Sequence, residues 1–140
     1  MAIDVLLSRL DSVRHVGPGR WVARCPAHSD RQPSLAVREL EDGRVLVHDF
    51  GGCRIEEVLS AVGLNFDVLF PELAIGYRAK RERRPFNPHD ILACIEFEAL
   101  LVAVAAARLA RGETLSDVDR RRLMLAALRL SRAAEAARGA

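Results

Sequence analysis

Cys25-Pro26-Ala27-His28 puts a thiol and an imidazole on a single turn, and Cys53 offers a second thiol later in the chain. A first ligand pair on one turn and a second pair about twenty residues further on is metal-ligand spacing, because two knuckles must meet around one tetrahedral ion. Of the three cysteines, the remaining one, Cys94, lies in an apolar helical stretch, where a free cysteine acts as a small buried hydrophobe. The fourth ligand falls to His48, Asp49 or water, with both side chains just ahead of the thiol in His48-Asp49-Phe50-Gly51-Gly52-Cys53. Carboxylates bind zinc, though less commonly in structural sites. The competing reading is a lost site whose fold persists by packing.

Such a cluster needs elements that return the chain to where it started. Three short strands are expected, over Arg20 to Arg24, Ser34 to Leu40 and Arg44 to His48, the last two joined at Glu41-Asp42-Gly43. Successive strand residues point to opposite faces, so Val45, Val47 and Asp49 share one face while Leu46 and His48 share the other. The valines are expected to meet the helix after Cys53, which sets Asp49 near that cysteine. This helix is marked by Ile55, Val58, Leu59 and Val62 and stopped by Gly63. Ahead of the strands, Ile3, Leu6, Leu7 and Leu10 predict an amphipathic helix from Ala2 to about Arg14, broken at His15-Val16-Gly17-Pro18-Gly19. Behind them, Leu64 to Leu73 reads as a packing tail anchored by Phe66, Leu69 and Phe70.

The second half has a different character. Asn87-Pro88-His89-Asp90 is a helix start, with a capping residue and a proline in the first turn, and Phe86 and Ile91 flank it as a staple. Ile91, Ile95, Ala99, Val102, Ala106 and Leu109 trace one face up to Gly112. Ser116 caps a second helix in a Ser-x-x-Asp box, with Leu123, Ala127, Leu130 and Ala134 on one face. The short turn predicts an antiparallel pair. The expected fold class is α+β: a small zinc-ribbon-like antiparallel sheet with flanking helices, then a C-terminal antiparallel helical hairpin. The expected organisation is a zinc-binding module over residues 1–74, a basic linker over 75–86 and the hairpin over 87–138.

The run Arg20-Trp21-Val22-Ala23-Arg24-Cys25-Pro26-Ala27-His28, then Asp30, Pro33-Ser34-Leu35, Gly43 to His48, Gly52-Cys53, Glu57-Val58-Leu59 and Gly63-Leu64, resembles a known family. It is similar to the Cys-His-Cys-Cys zinc-binding domain of bacterial DnaG-type and phage primases, in the variant found in phage and integrated elements. The likeness extends from about residue 10 to about residue 70. It implies zinc held by Cys25, His28, the Asp49 position and Cys53. Asp49 stands where that pattern has a third cysteine, and its final pair is spaced by three residues instead of two. The resemblance further implies contact with single-stranded template DNA and a role in primer initiation, with polymerisation performed by a separate domain. The helical second half carries no acidic motif of the kind that binds catalytic magnesium.

Composition narrows the remaining classes. The 140-residue chain is 50% hydrophobic but only 5% aromatic, so its first half has a marginal core that a metal staple would help. Structural zinc contributes roughly 10–16 kcal/mol in small peptides. A formal net charge of +2 does not announce a nucleic-acid binder; only local clustering could. Candidate phosphate contacts are Arg20, Arg24, Arg31, Arg38 and Arg44 on the module, and Arg81, Arg83 and Arg84 in the linker Arg78-Ala79-Lys80-Arg81-Glu82-Arg83-Arg84. Trp21 reads as a core residue in preference to a base-stacking platform. An odd cysteine count, Met1-Ala2-Ile3-Asp4 without a basic leader and no long apolar run predict a soluble, reduced, cytoplasmic protein.

Three functions follow as expectations. The first is a non-catalytic accessory protein that binds DNA, single strands above all, and works with a replication or phage protein. The second is an interaction module in which the hairpin engages a partner or pairs as a homodimer. The third is an enzyme fragment awaiting a catalytic subunit.

Overall fold

Alternating apolar residues over Val45 to Val47 build a strand with two buried sides, and the chain folds around that requirement. The computed structural model describes residues 2–29, 32–71 and 82–139. It runs α1 (Ala2–Ser8), β1 (Arg14–Gly17), β2 (Arg20–Ala23), β3 (Leu35–Glu39), β4 (Val45–Asp49), α2 (Ile55–Ala61), a 3-10 turn (Phe66–Leu69), α3 (Pro88–Ala110) and α4 (Asp117–Arg138). The strands form one antiparallel sheet in the order β1-β2-β3-β4. Register pairs Trp21 with Val37, and Val37 in turn with Val47, so these side chains share a face. The fold class is α+β, as expected.

The sheet is the middle of three layers. On one side Ala23, Leu35, Val37 and Val45 pack with Ile3, Leu6 and Leu10 and with Val58 and Leu59 of α2. On the other, Val22 and Ala36 meet Phe50, Phe86, Ile91, Cys94, Ile95 and Ala133, so the helical hairpin shares its core with the sheet. Arg20 on β2 reinforces that docking through a 3.0 Å ion pair with the buried Asp90 at the start of α3.

Several local signals act as their chemistry demands. Gly63 adopts φ +72° past α2. Its N–H donates to the Ser60 carbonyl, and the Leu64 N–H donates to that of Leu59 at 2.9 Å, a paired closure of the helix end. The Asn87 side chain accepts from the His89 N–H at 2.8 Å, and Ser116 Oγ accepts from the Asp119 N–H at 3.1 Å. Phe86 and Ile91 meet in one cluster, as a staple requires.

Three expectations need correction. The first helix stops at Ser8, and Arg14–Gly17 is a fourth strand. Ser12 takes a left-handed φ of 53°, which turns the chain. Pro18-Gly19, with Gly19 at φ +65°, is the hairpin turn between β1 and β2, not merely a helix breaker. Of the three expected anchors in the tail, Leu69 is buried at 4% exposed, while Phe66 and Phe70 are 41% and 56% exposed. A four-residue 3-10 turn brings Leu69 to the core, with Val68 and Leu64 packed partly buried against it. Leu73 lies outside the described residues, as do Arg31, Arg81 and the part of the linker before Glu82.

The third correction concerns the hairpin seam, which keeps Ile91 and Ile95 buried and Val102, Leu123 and Leu130 half-buried as expected but is displaced by one residue elsewhere. Ala99, Ala106, Leu109, Ala127 and Ala134 are exposed; Cys94, Glu98, Ala126 and Ala133 are buried. Glu98 decides the displacement. Its carboxylate receives two N–H bonds from Arg122 at 2.7 and 2.8 Å and one from Arg129 at 2.7 Å. Burial acts to raise the Glu98 pKa, but the bonds from Arg122 and Arg129 outweigh it and hold the carboxyl below its ordinary range.

Candidate metal centre

β2 and β4 both run antiparallel to β3, so they leave the sheet at the same end. Ala23, Leu35 and Asp49 lie in line across it. Cys25 lies two residues past the end of β2, Asp49 ends β4, and the two segments therefore meet. His28 closes the turn begun at Cys25, and Cys53 closes the loop begun at Asp49. The ligand atoms of Cys25, His28, Asp49 and Cys53 all lie within 4.8 Å of one another. His28 Nδ1 stands 3.1 Å from Cys53 Sγ and 3.5 Å from Asp49 Oδ2. A tetrahedral zinc site with bonds of about 2.0–2.3 Å needs ligand separations of about 3.3–3.8 Å, so small adjustments satisfy it.

The loop Asp49 to Cys53 is shaped around the imidazole. A Cβ on Gly51 would come within 2.8 Å of His28 Cε1 and 3.1 Å of both Asp49 carboxylate oxygens. Gly52 has φ +99°, which turns the backbone so that Cys53 points back to the cluster. These two glycines explain how a pair with three intervening residues still closes on one point.

Asp49 is fully buried and held from three directions. Ser34 Oγ donates to Oδ1 at 2.6 Å, the Gly51 N–H to Oδ1 at 3.1 Å and the Cys53 N–H to Oδ2 at 3.0 Å. Burial alone would raise its pKa; the Ser34 hydroxyl, the two N–H groups and nearby His28 more than offset that, leaving the carboxyl below its usual range. The thiols lie the other way. Burial pushes Cys25 well up, the backbone at Ala27 opposes this, and the charge of Asp49 adds to the rise. Cys53 is raised by burial and then by Asp49. A cation at this point would oppose that rise, because coordination removes the thiol protons outright. Two sulfurs, one nitrogen and one oxygen form a donor set that fits zinc.

His48 faces the opposite side of the sheet, where its ring meets Phe50 edge-on at 4.6 Å and approaches Phe86 at 5.9 Å. It does not belong to the cluster. Among the described residues, several candidate arginines have partners within the chain. Arg20 pairs with Asp90. Arg38 donates to the carbonyls of Arg84 and Pro85 and lies 3.9 Å from Glu82, while Arg44 bonds Asp42 across the β3–β4 turn. Arg24 lines a cavity of about 210 Å³ with Asp11, Cys25, Pro26 and His28, against the centre itself. Arg83 and Arg84 are exposed. Trp21 is half-buried against the α1 side of the sheet, 5.6 Å from the His15 ring.

Sequence reasoning assigned no role to Ser34 or Gly51. The available signals were the small polar residue in Pro33-Ser34-Leu35 and the doubled glycine before Cys53. Among the described residues no helix is long and apolar enough to cross a membrane. The chain thus contains a buried Cys-His-Asp-Cys cluster able to hold a metal ion, on a sheet flanked by helices. No protein-family model, no curated protein and no solved structure matches it.

Proposed function

We propose that this chain is a non-catalytic zinc protein that binds single-stranded nucleic acid, an accessory module of the primase type acting in replication of a phage or mobile element. The convergence of Cys25, His28, Asp49 and Cys53 on one point carries this reading. Zinc at that point ties the exit of β2 to the loop after β4, and so fixes the turn beside which Arg24 sits. Arg24, with the exposed Arg83 and Arg84, supplies the positive charge that phosphates require. Arg20, Arg38 and Arg44 bond the partners described above and remain in the candidate set.

The test begins with elemental analysis and a melt in the presence of a chelator. It continues with the fluorescence anisotropy of a labelled single-stranded oligonucleotide. About one zinc ion per chain, lost together with the order of the first half, is expected. Binding should weaken steeply with added salt, since released counterions drive it. Neutralising Arg81, Arg83 and Arg84 should weaken binding without lowering stability. A folded, zinc-free protein overturns the metal reading. Absent or salt-insensitive binding by the zinc-loaded protein overturns the nucleic-acid reading. A second reading, an interaction module built on the hairpin, is favoured by the exposed apolar side of α3.

A further inference from the structure

Between the sheet and the first helix of the hairpin lies an open cleft of about 800 Å³. Ser12 and Arg14, at the entry to β1, line it together with Pro33, ahead of β3, and with Glu96, Phe97 and Leu100, which share one face of α3. Arg14 pairs in register with Val22, whose side chain packs toward α3, so the guanidinium is carried on that side of the sheet. Both sheet segments are tied to the metal centre. The Asp11 carbonyl accepts from the Arg24 N–H at 3.1 Å, next to Cys25, and Ser34, which follows Pro33, holds Asp49 through its hydroxyl. Phe97 and Leu100 give the cleft an apolar part, at 38% and 60% exposed. Its two charges are left open. Among the described residues the side chains of Arg14 and Glu96 make no ion pair or hydrogen bond, with each other or with any other group. Arg20, Arg122 and Arg129, by contrast, pair with Asp90 and Glu98.

We infer that this cleft seats one nucleotide of a bound single strand, with a phosphate at Arg14, a base against Phe97 and Leu100, and the amino group of that base at Glu96. The inference rests on the single-strand reading above and names where the strand is held. An occupant has three demands to meet: an anionic group for the guanidinium, a flat apolar body for the ring and the leucine, and N–H donors for the carboxylate. A nucleotide that carries an amino group on its base meets all three. The guanidinium fork matches phosphate oxygens, and every base has a face that stacks on an aromatic ring. Glu96 repels phosphate, which directs the backbone to Arg14. The same carboxylate selects among bases, because cytosine offers it the N4 donors where thymine offers the O4 acceptor. Arg14 was not among the candidates that the sequence offered, since it falls at the end of the stretch expected to be helical.

Fluorescence anisotropy of labelled oligo-dC and oligo-dT with the full chain tests it, beside amide resonances recorded with deoxycytidine monophosphate. Oligo-dC should bind more tightly than oligo-dT. Arg14→Gln should make the salt dependence shallower by about 0.7 in the log–log slope, the share of one phosphate on a single strand. Phe97→Leu keeps the apolar bulk and removes the ring, and should raise the dissociation constant on the order of 10-fold. Glu96→Gln should narrow the preference for oligo-dC. All three side chains are exposed, so the variants should melt with the wild type. If Phe97→Leu unfolds, the slope of Arg14→Gln decides the matter. Oligonucleotide binding that none of the three variants alters overturns the cleft and leaves the single-strand reading standing. No oligonucleotide binding, with the mononucleotide shifting the amides of Arg14, Glu96 and Phe97, overturns the single-strand reading and supports the cleft. Silence of both probes overturns both.

Discussion

The two halves of this molecule bury polar groups for opposite ends. At the metal centre a carboxylate, an imidazole and two thiols face one another, with Asp49 held by Ser34 and two backbone N–H groups, and the arrangement invites a cation. In the hairpin the cations belong to the chain: Arg122 and Arg129 converge on Glu98, and nothing further is needed. The first cluster brings together four side chains whose ligand atoms could hold an ion. The second closes on itself, at the cost of an Arg129 Nε that is buried without a hydrogen-bond partner. One half presents a set of ligand atoms to an ion, and the other ties two helices together through Glu98.

Removing a thiol tests the contrast most severely. Cys25→Ser should lower the stability of the first half by more than about 4 kcal/mol if zinc staples it. Native-state hydrogen exchange should show β2, β3 and β4 opening while the seam of α3 and α4 keeps most of its protection. The sheet and hairpin share the cluster around Val22, Phe50, Ile91 and Ala133, so some loss will spread. Equal melting of mutant and wild type, each with its metal content measured, would break the comparison.

Glu98→Ala reverses the experiment. It leaves two partly buried guanidinium groups facing each other, a change of about 3 kcal/mol or more. Hairpin amides should lose protection and zinc content should stay unchanged. Acid gives a gentler version. The Glu98 carboxyl is held below its ordinary range in the fold, so its contribution is present above the ordinary carboxylate pKa of about 4.3 and is lost as pH falls through the depressed value. An acid titration of Glu98→Gln should lack that component of the transition. An unchanged acid transition would assign the hairpin's stability to apolar packing alone.

Local chemistry was legible in the sequence where one residue acts on its near neighbours. Asn87, Ser116 and Gly63 cap their helices as their types predict, and Cys25, His28, Asp49 and Cys53 meet as their spacing and strand alternation suggest. What escaped the reading depends on distant partners. β1 is four residues long and exists because β2 pairs with it. A periodicity argument sends glutamate outward, yet Glu98 goes inward because arginines 24 and 31 positions later arrive to bind it. That inversion accompanies a one-residue shift of part of the seam, while Ile91 and Ile95 stay buried as expected. The arginines illustrate the same limit: their types and spacing do not show that Arg20 pairs with Asp90 in the first turn of α3, or that Arg38 donates to the carbonyls of Arg84 and Pro85.

Ser34→Ala gives the smallest effect and the sharpest comparison. The hydroxyl donates a 2.6 Å bond to a buried carboxylate, a charge-assisted contact whose loss costs about 1.5–3 kcal/mol. In the absence of metal that bond, with the N–H groups of Gly51 and Cys53, orients Asp49. With metal bound it would hold the same carboxylate from behind, and groups in that position typically change metal affinity by about 10- to 100-fold. Competition with a chromophoric chelator should therefore show zinc held less tightly by Ser34→Ala, while Cys25→Ser loses it altogether. The stability of the hairpin should not respond. If affinity for zinc were unchanged while the apo protein lost stability, Asp49 would be acting as a hydrogen-bonded organiser of the loop. The metal, if bound, would then rest on Cys25, His28 and Cys53, with water completing the site.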